Sequence, residues 1–226
     1  MELIYCAGKN RHFEAIALGA GFNLGVQLPN VIYHLPLYFA DQDWKRPNRE
    51  RYMAALAEHR PVVATVLDWE QEEQLDEVLD WAEETTQYVD RVLIVPKVSD
   101  GIDRLPRVIG GKPVMLAFSV PTRFGGTQLP IWEFAGWPVH LLGGSPHSQM
   151  HYWYHLSAIA DVVSTDGNMA QQQAHKCRFW NKNKGSKGHW IQLSEVGAGD
   201  FGKDSNQEAF RRSCQNIMEA WQCLMK

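Results

Sequence analysis

The 226-residue sequence predicts an α/β fold: a modified or incomplete (β/α)8 barrel of the TIM type, with an open parallel α/β sheet as the competing architecture. Three observations predict it. Short, nearly continuous apolar runs, such as Pro61-Val-Val-Ala-Thr-Val-Leu67 and Pro113-Val-Met-Leu-Ala-Phe118, have the make-up of parallel strands covered on both faces. Amphipathic helical stretches alternate with them; the longest runs from Glu70 to Tyr88, with Leu75, Val78, Leu79 and Ala82 at helical spacing. The apolar runs also end repeatedly on a polar residue or a glycine pair, at Asp68, Lys97, Ser119, Gly143-Gly144 and Asp166. In a parallel barrel those ends meet around one mouth.

Taken in order, Leu3 to Ala7 reads as a first strand rather than a signal peptide, and Phe13 to Leu18 as a helix stopped by Gly19 and Gly21. Phe22 to Leu28 is a second strand, and Val31 to Tyr38 a third strand or a loop. Phe39-Ala-Asp-Gln-Asp-Trp44 reads as an acidic, aromatic loop, and Asn48 as the cap of a helix carrying Tyr52, Met53 and Leu56. Further strands are Pro61 to Leu67, Arg91 to Val95, Pro113 to Phe118, Trp137 to Leu142 and Ala160 to Thr165. Helices are expected over Ser148 to Ile159 and Met169 to Phe179. Asn181 to Gly188 reads as a loop, Trp190 to Leu193 as a final strand, and Asn206 to Met225 as a closing helix. Residues 1–226 show no internal repeat or linker and read as one domain.

Composition narrows the classes. With 45% hydrophobic and 21% charged residues, the chain can bury a substantial core. A net charge of −4 argues against a generally basic nucleic-acid coat, while Lys176, Arg178, Lys182, Lys184 and Lys187 form one local basic patch, read as solvated loop charge or as a phosphate-contacting loop. No apolar stretch approaches a membrane span, so no membrane partner is expected. Cys6, Cys177, Cys214 and Cys223 form no CxxC pair, which predicts reduced thiols in a cytoplasmic setting. With His175 and His189 they lack the paired spacing of a zinc site, so no metal is expected. Gly8-Lys9 and the other Gly-containing turns match neither a Walker phosphate-binding loop nor the dinucleotide-binding arrangement of strand, GxGxxG and helix, so neither ATP nor NAD, nor any other cofactor, is expected.

The strand ends carry the chemistry. Asp166 either caps the helix that starts near Asn168 or acts as a nucleophile or acid at the pocket centre; a carboxylate can attack an anomeric carbon and hold a covalent glycosyl intermediate. Asp68, Asp41 or Asp43 would supply a second carboxylate, and neighbouring carboxylates separate their pKa values into divided roles. Gly143-Gly144 lets a flat base or a phosphate approach backbone N–H groups; His140 and His147 flank it, and Gln149 either reads a base edge or is solvated. Lys97 suits a Schiff base or a phosphate contact, and Arg123 a phosphate clamp. Tyr33, Tyr38, Phe39, Trp44 and Trp69 are candidates to stack on a base or to pack.

Four segments, Ala64-Thr-Val-Leu-Asp68, Val92-Leu-Ile-Val-Pro-Lys97, Val139-His-Leu-Leu-Gly-Gly144 and Val163-Ser-Thr-Asp-Gly-Asn168, give a strand-end order that resembles the tRNA-guanine transglycosylase superfamily. The nearer likeness is to its short relatives implicated in inserting 7-deazaguanine bases into phage or bacterial DNA. The overall style also resembles uncharacterised actinobacteriophage proteins, for which the compartment would be the host cytoplasm. The resemblance runs from Tyr33 to Asn168 and implies a modified (β/α)8 barrel and base exchange at an N-glycosidic bond, with DNA or RNA and a 7-deazaguanine-type base as partners. It implies Asp166 as nucleophile, Asp68 as the base-recognising aspartate and Gly143-Gly144 as the base-binding turn. Asp41 is the nearest match to the general base, with Asp43 as its rival, because the loop reads Phe-Ala-Asp-Gln-Asp rather than Asp-Ser-Gly-Gly-Phe. The family's cysteine-rich zinc insertion is absent, and its Gln-Gly-Gly element is not present in that form; Ser119 and the later Gly125-Gly126 do not replace it cleanly. Two other classes compete: a small-molecule lyase or phosphosugar enzyme using Lys97, and a noncatalytic binding or phage structural protein in which Asp68 and Asp166 cap helices.

Overall fold

The fold comes from a computed structural model, which describes residues 1–6, 10–29, 36–122, 125–185, 188–197 and 202–226. Its strands are β1 (Glu2–Cys6), β2 (Asn23–Leu28), β3 (Phe39–Gln42), β4 (Val63–Thr65), β5 (Arg91–Ile94), β6 (Val108–Ile109), β7 (Lys112–Ser119), β8 (Pro138–Leu142), β9 (Asp161–Gly167), β10 (Arg178–Gly185) and β11 (Gly188–Gln192). The helices are α1 (Arg11–Gly19), α2 (Arg49–His59), α3 (Leu75–Thr85), α4 (Pro146–Leu156), α5 (Met169–Ala174) and α6 (Ser205–Leu224).

Eight strands, β1 to β5 and β7 to β9, run parallel in the order β5-β4-β3-β2-β1-β9-β8-β7. Parallel pairing of β5 with β7, Val92 opposite Val114 and Ile94 opposite Leu116, closes the ring. The competing open sheet is thereby overturned. The barrel is modified because, among the described residues, no α-helix follows β2, β5 or β7. Short 3-10 turns (Ile102–Arg104 and Ile131–Phe134) and the antiparallel ribbon β6–β7 take their places.

Alternation along each strand sorts side chains into two cores. Ile4, Phe39, Val63, Leu93, Val95, Met115 and Ala117 fill the lumen. Their neighbours, such as Leu3, Tyr5, Val26, Val92 and Leu116, face the helices. β2 gives up its lumen place at Gly25, where a Cβ would lie 2.8 Å from the Phe39 ring and 2.9 Å from Ile4. Outside, α6 packs on α1 and β1, with Phe210 stacked 4.6 Å from Phe13 and 5.0 Å from Tyr5.

Several local expectations change. Phe39–Gln42 is a barrel strand, not a loop; the Phe39/Asp41 alternation marks it, although it is only four residues long. Of the Val31 to Tyr38 segment, residues 31–35 lie outside the described residues. The helix from Met169 stops at Ala174, and Cys177 turns the chain at φ +54°. The expected loop and final strand are instead the antiparallel hairpin β10–β11, outside the barrel. The helix after Gly144 begins at Pro146, capped by Ser145.

The amino-end floor of the barrel is an ion pair. Arg91 donates through Nη2 to Glu2 Oε1 (3.1 Å) and through Nη1 to Oε2 (3.3 Å), and also to the Tyr38 hydroxyl. Burial works against the Glu2 charge, but Tyr38 and Arg91 hold its carboxyl below the usual range.

Candidate active site

At the carboxyl ends the lumen faces turn polar, two residues beyond the last apolar side chain of each strand: Ile4 gives way to Cys6, Phe39 to Asp41, Val63 to Thr65 and Ala117 to Ser119. Ser164 and Asp166 stand one above the other on β9. Asp166 therefore belongs to a strand and does not cap α5, whose cap position Asn168 makes no side-chain capping bond.

Asp166 is buried and receives hydrogen bonds from three directions. Gly143 N–H donates to Oδ1 (2.8 Å), Cys6 Sγ–H to Oδ2 (2.9 Å), and His140 Nε2 lies 3.1 Å from Oδ1. A carboxylate oxygen accepts, so Nε2 carries the imidazole proton and Nδ1 accepts from the Ser164 hydroxyl at 2.8 Å. His140 is fully buried and stacks 5.1 Å from the Phe39 ring, so the lumen core fixes its plane. Burial, followed by the charge of Asp166, pushes the Cys6 thiol well above its ordinary range and keeps it a donor.

Gly143 and Gly144 adopt φ of +69° and +85°, which turns the Gly143 N–H toward Asp166. A Cβ on Gly144 would meet Val120 at 2.6 Å. Gln149 is buried rather than solvated. Its Nε2 donates to Gly143 O (2.8 Å) and Asp166 O (2.6 Å), tying the ends of β8 and β9 together.

Across the mouth, Asp41 Oδ1 accepts from Thr65 Oγ1 (3.0 Å), which in turn accepts from Gln42 N (2.8 Å). Burial, and next the negative charge of Asp166, push the Asp41 carboxyl up to about 8; Asp68 adds in the same direction. Asp41, Asp166 and Asp68 thus share one electrostatic site. An isolated bridge between Trp69 and Pro96 extends β4 and β5 and sets Asp68 beside Lys97, with Lys97 Nζ 2.7 Å from Asp68 Oδ2 and 2.7 Å from Glu70 Oε1. Burial raises the Asp68 carboxyl while Lys97 opposes the rise. For Lys97, burial alone would lower the ammonium, but the bonds to Asp68 and Glu70 push it up.

Other candidates scatter. Asp43 sits at the rim, 3.9 Å from Arg46, in a groove with Pro29, Pro47 and Arg51. Arg123 and Tyr33 lie outside the described residues. Tyr38 belongs to the floor, Phe39 to the lumen core, and Trp69 is fully buried against Gly101. Trp44 is half exposed at the rim, with Lys97 Nζ 5.9 Å from its ring centroid. Residues 7–9, 30–35 and 123–124, which follow β1, β2 and β7, also lie outside the described residues.

Sequence reasoning passed over Cys6, Thr65 and Ser164. The signal was the two-residue step within each strand, from an apolar to a polar lumen position; attention to the residue after each strand misses it.

Fold and site together define the class: a closed (β/α)8-type barrel, a scaffold typical of many enzymes, with carboxylates gathered at the carboxyl ends of its strands. The chain belongs to the Family of unknown function (DUF6610), whose model matches residues 17–222. No curated protein matches it. Among the described residues, no group of three or more His, Cys, Asp or Glu is placed to hold a metal, and no helix is long and apolar enough to cross a membrane.

Proposed function

We propose that the protein is a pentosyltransferase that exchanges guanine in a polynucleotide, DNA in the first instance, for a 7-deazaguanine base through an aspartyl–glycosyl intermediate on Asp166. The observation that carries this reading is the pair Asp166 and Asp41. These two lumen-facing carboxylates feel each other's charge, and one of them is held neutral up to about pH 8. Divided protonation suits a nucleophile and a proton carrier acting at one bond.

In the proposed reaction an Asp166 oxygen attacks the anomeric carbon. The bond from that carbon to the guanine nitrogen breaks, and the leaving base takes the Asp41 proton. The ring nitrogen of the incoming base then gives its proton to Asp41 and attacks the same carbon, which frees Asp166. Cys6, His140 and Gly143 hold the nucleophile's oxygens in place. Asp68, a hydrogen-bond acceptor, faces the donor edge of guanine; Ser119 and the Gly143-Gly144 backbone flank the base, and Trp44 offers a stacking face at the rim. Asp41 rather than Asp43 serves as the proton carrier, because Asp41 stands in the mouth within reach of the Asp166 charge, while Asp43 sits at the rim beside Arg46. Lys97, held protonated between two carboxylates, is a poor Schiff-base nucleophile, which argues against the lyase reading. Lys97 with Arg123 remains suited to phosphate contact once substrate displaces Glu70.

The test is incubation of the full chain with single-stranded DNA or RNA and a radiolabelled 7-deazaguanine base. Label in polymer, lost in Asp166→Asn, is the expected result. No incorporation into either polymer and no protein–polymer adduct would overturn the reading.

A further inference from the structure

The acidic mouth leaves unexplained a long stretch whose only charged residues are basic. Between Asp166 and Glu195 there is no Asp or Glu, while Lys176, Arg178, Lys182, Lys184 and Lys187 all fall there, in a protein of net charge −4. Lys187 and the side chain of Lys184 lie outside the described residues. The remainder of this stretch is dominated by the hairpin β10–β11.

We propose that this hairpin is the arm that holds the sugar–phosphate backbone of a single-stranded polynucleotide at the mouth. The inference rests on the exchange reading and names the element that would make its substrate a polymer rather than a free nucleoside.

The position of the hairpin tip carries the argument. His189, next to Gly188 at the tip, stacks 4.9 Å from His147 with planes 19° apart, and 5.9 Å from Trp180 on its other strand. His147 is the second residue of α4, the helix that follows Gly143-Gly144, and Gly143 donates to Asp166. The stack therefore brings the start of β11, at Gly188 and His189, beside the helix that leaves the β8 side of the mouth. α6 holds the hairpin from outside. Trp180 N–H donates to Ser213 Oγ (2.9 Å), Asn216 Nδ2 donates to Trp180 O (2.8 Å), and Phe179 and Trp180 are buried. An arm held this firmly loses little freedom on binding.

Lys176, Arg178 and Lys182 are exposed along this arm. Beside Lys182 the groove between hairpin and α6 is lined by Asn181, Asn183 and Asn216, with Glu219 its one carboxylate. Lysines with amide side chains contact phosphate and sugar without reading sequence. Asp166 is only 7% exposed, so a target nucleotide must leave its stack to reach it, which favours a single strand.

The test measures binding without chemistry. Fluorescence anisotropy of a labelled single-stranded DNA 20-mer is followed across a salt series, with RNA, duplex DNA and polyglutamate as competitors. The wild-type chain is compared with Lys176→Glu/Lys182→Glu and with Lys112→Glu, a charge reversal at the amino end of β7; circular dichroism checks folding. We expect the double variant to lose about tenfold or more in affinity near physiological salt and to shed about 1.4 from the slope of log K against log salt, about 0.7 for each lysine, while Lys112→Glu tracks wild type. Whichever polymer competes better, DNA or RNA, identifies the source. Double-variant binding within twofold of wild type, or equal competition by polyglutamate, would overturn the inference. Its failure is separable from that of the exchange reading. Hairpin-dependent binding without base incorporation sinks the enzyme assignment alone, and incorporation with hairpin-independent binding sinks the arm alone.

Discussion

The two ends of the barrel meet the same packing problem with opposite electrostatics. At the amino end, Glu2, Arg91 and Tyr38 close the lumen with one negative and one positive charge, each hydrogen-bonded. At the carboxyl end, Asp41, Asp68 and Asp166 converge, and Lys97 is shared between Asp68 and the rim residue Glu70. One end lowers its carboxylate's pKa; the other raises one to about 8. A layer built for stability neutralises its charges. A layer that leaves carboxylates in mutual repulsion gives up stability and holds a proton poised, the property on which the proposed exchange depends.

The comparison can be broken most decisively at Asp166. Asp166→Asn should cut base exchange by on the order of 10³-fold or more with circular dichroism unchanged; exchange at near wild-type rate would show the mouth is not the site. Next comes the floor. Arg91→Met strands Glu2, and because both partners are partly exposed the cost is about 1–3 kcal/mol, below the figure for a fully buried pair. Urea denaturation should show that loss and its partial recovery in Glu2→Gln/Arg91→Met, with exchange by the folded variants unaffected.

The third test uses pH. Asp41 binds its proton up to about pH 8 when folded, against an ordinary value of 3.8. Between those values the folded state holds more protons than the unfolded one, so this contribution to stability is complete below pH 3.8 and is lost as pH rises through 8. The melting temperature should fall from pH 5 toward pH 9, Asp68 adding in the same sense, and Asp41→Asn should flatten the slope. A rising or level wild-type profile would break the contrast between the ends. The smallest effect belongs to Thr65→Val. It removes a donor that lowers the Asp41 pKa and leaves Gln42 N–H without its acceptor, costing ~1 kcal/mol and moving the alkaline limb of the exchange rate above pH 8.

Legibility in the sequence tracked burial. β4, β5, β7, β8 and β9 are buried on both faces and announce themselves as apolar runs. β3 does not, because half of its four residues, Asp41 and Gln42, are polar; the lumen-facing Asp41 that makes it part of the site also disguises it as a loop. The hairpin β10–β11 was hidden by its Gly-, Asn- and Lys-rich sequence, and β10 is anchored at Trp180 by α6, distant in the chain. Asp68, Asp166 and Gly143 were visible as polar punctuation after apolar runs. Cys6, Thr65 and Ser164 were not, since small polar residues in strands ordinarily mean nothing until their face is known. A barrel was expected from the strand-end pattern, but the pairing that closes it was not legible: Val92 meeting Val114 leaves no periodic trace.

β1 lies between β2 and β9, with Glu2 opposite Ser164 and Tyr5 opposite Gly167. Because β9 follows more than 150 residues later in the chain, β1 leaves the ribosome well before its second edge can be covered. Until then Leu3, Ile4 and Tyr5 form an apolar ribbon open along one side, the kind of edge that recruits neighbouring chains. Synthesis of this protein thus carries an interval of vulnerability that ends only when β9 emerges, and slow translation through the β5–β8 region would lengthen it.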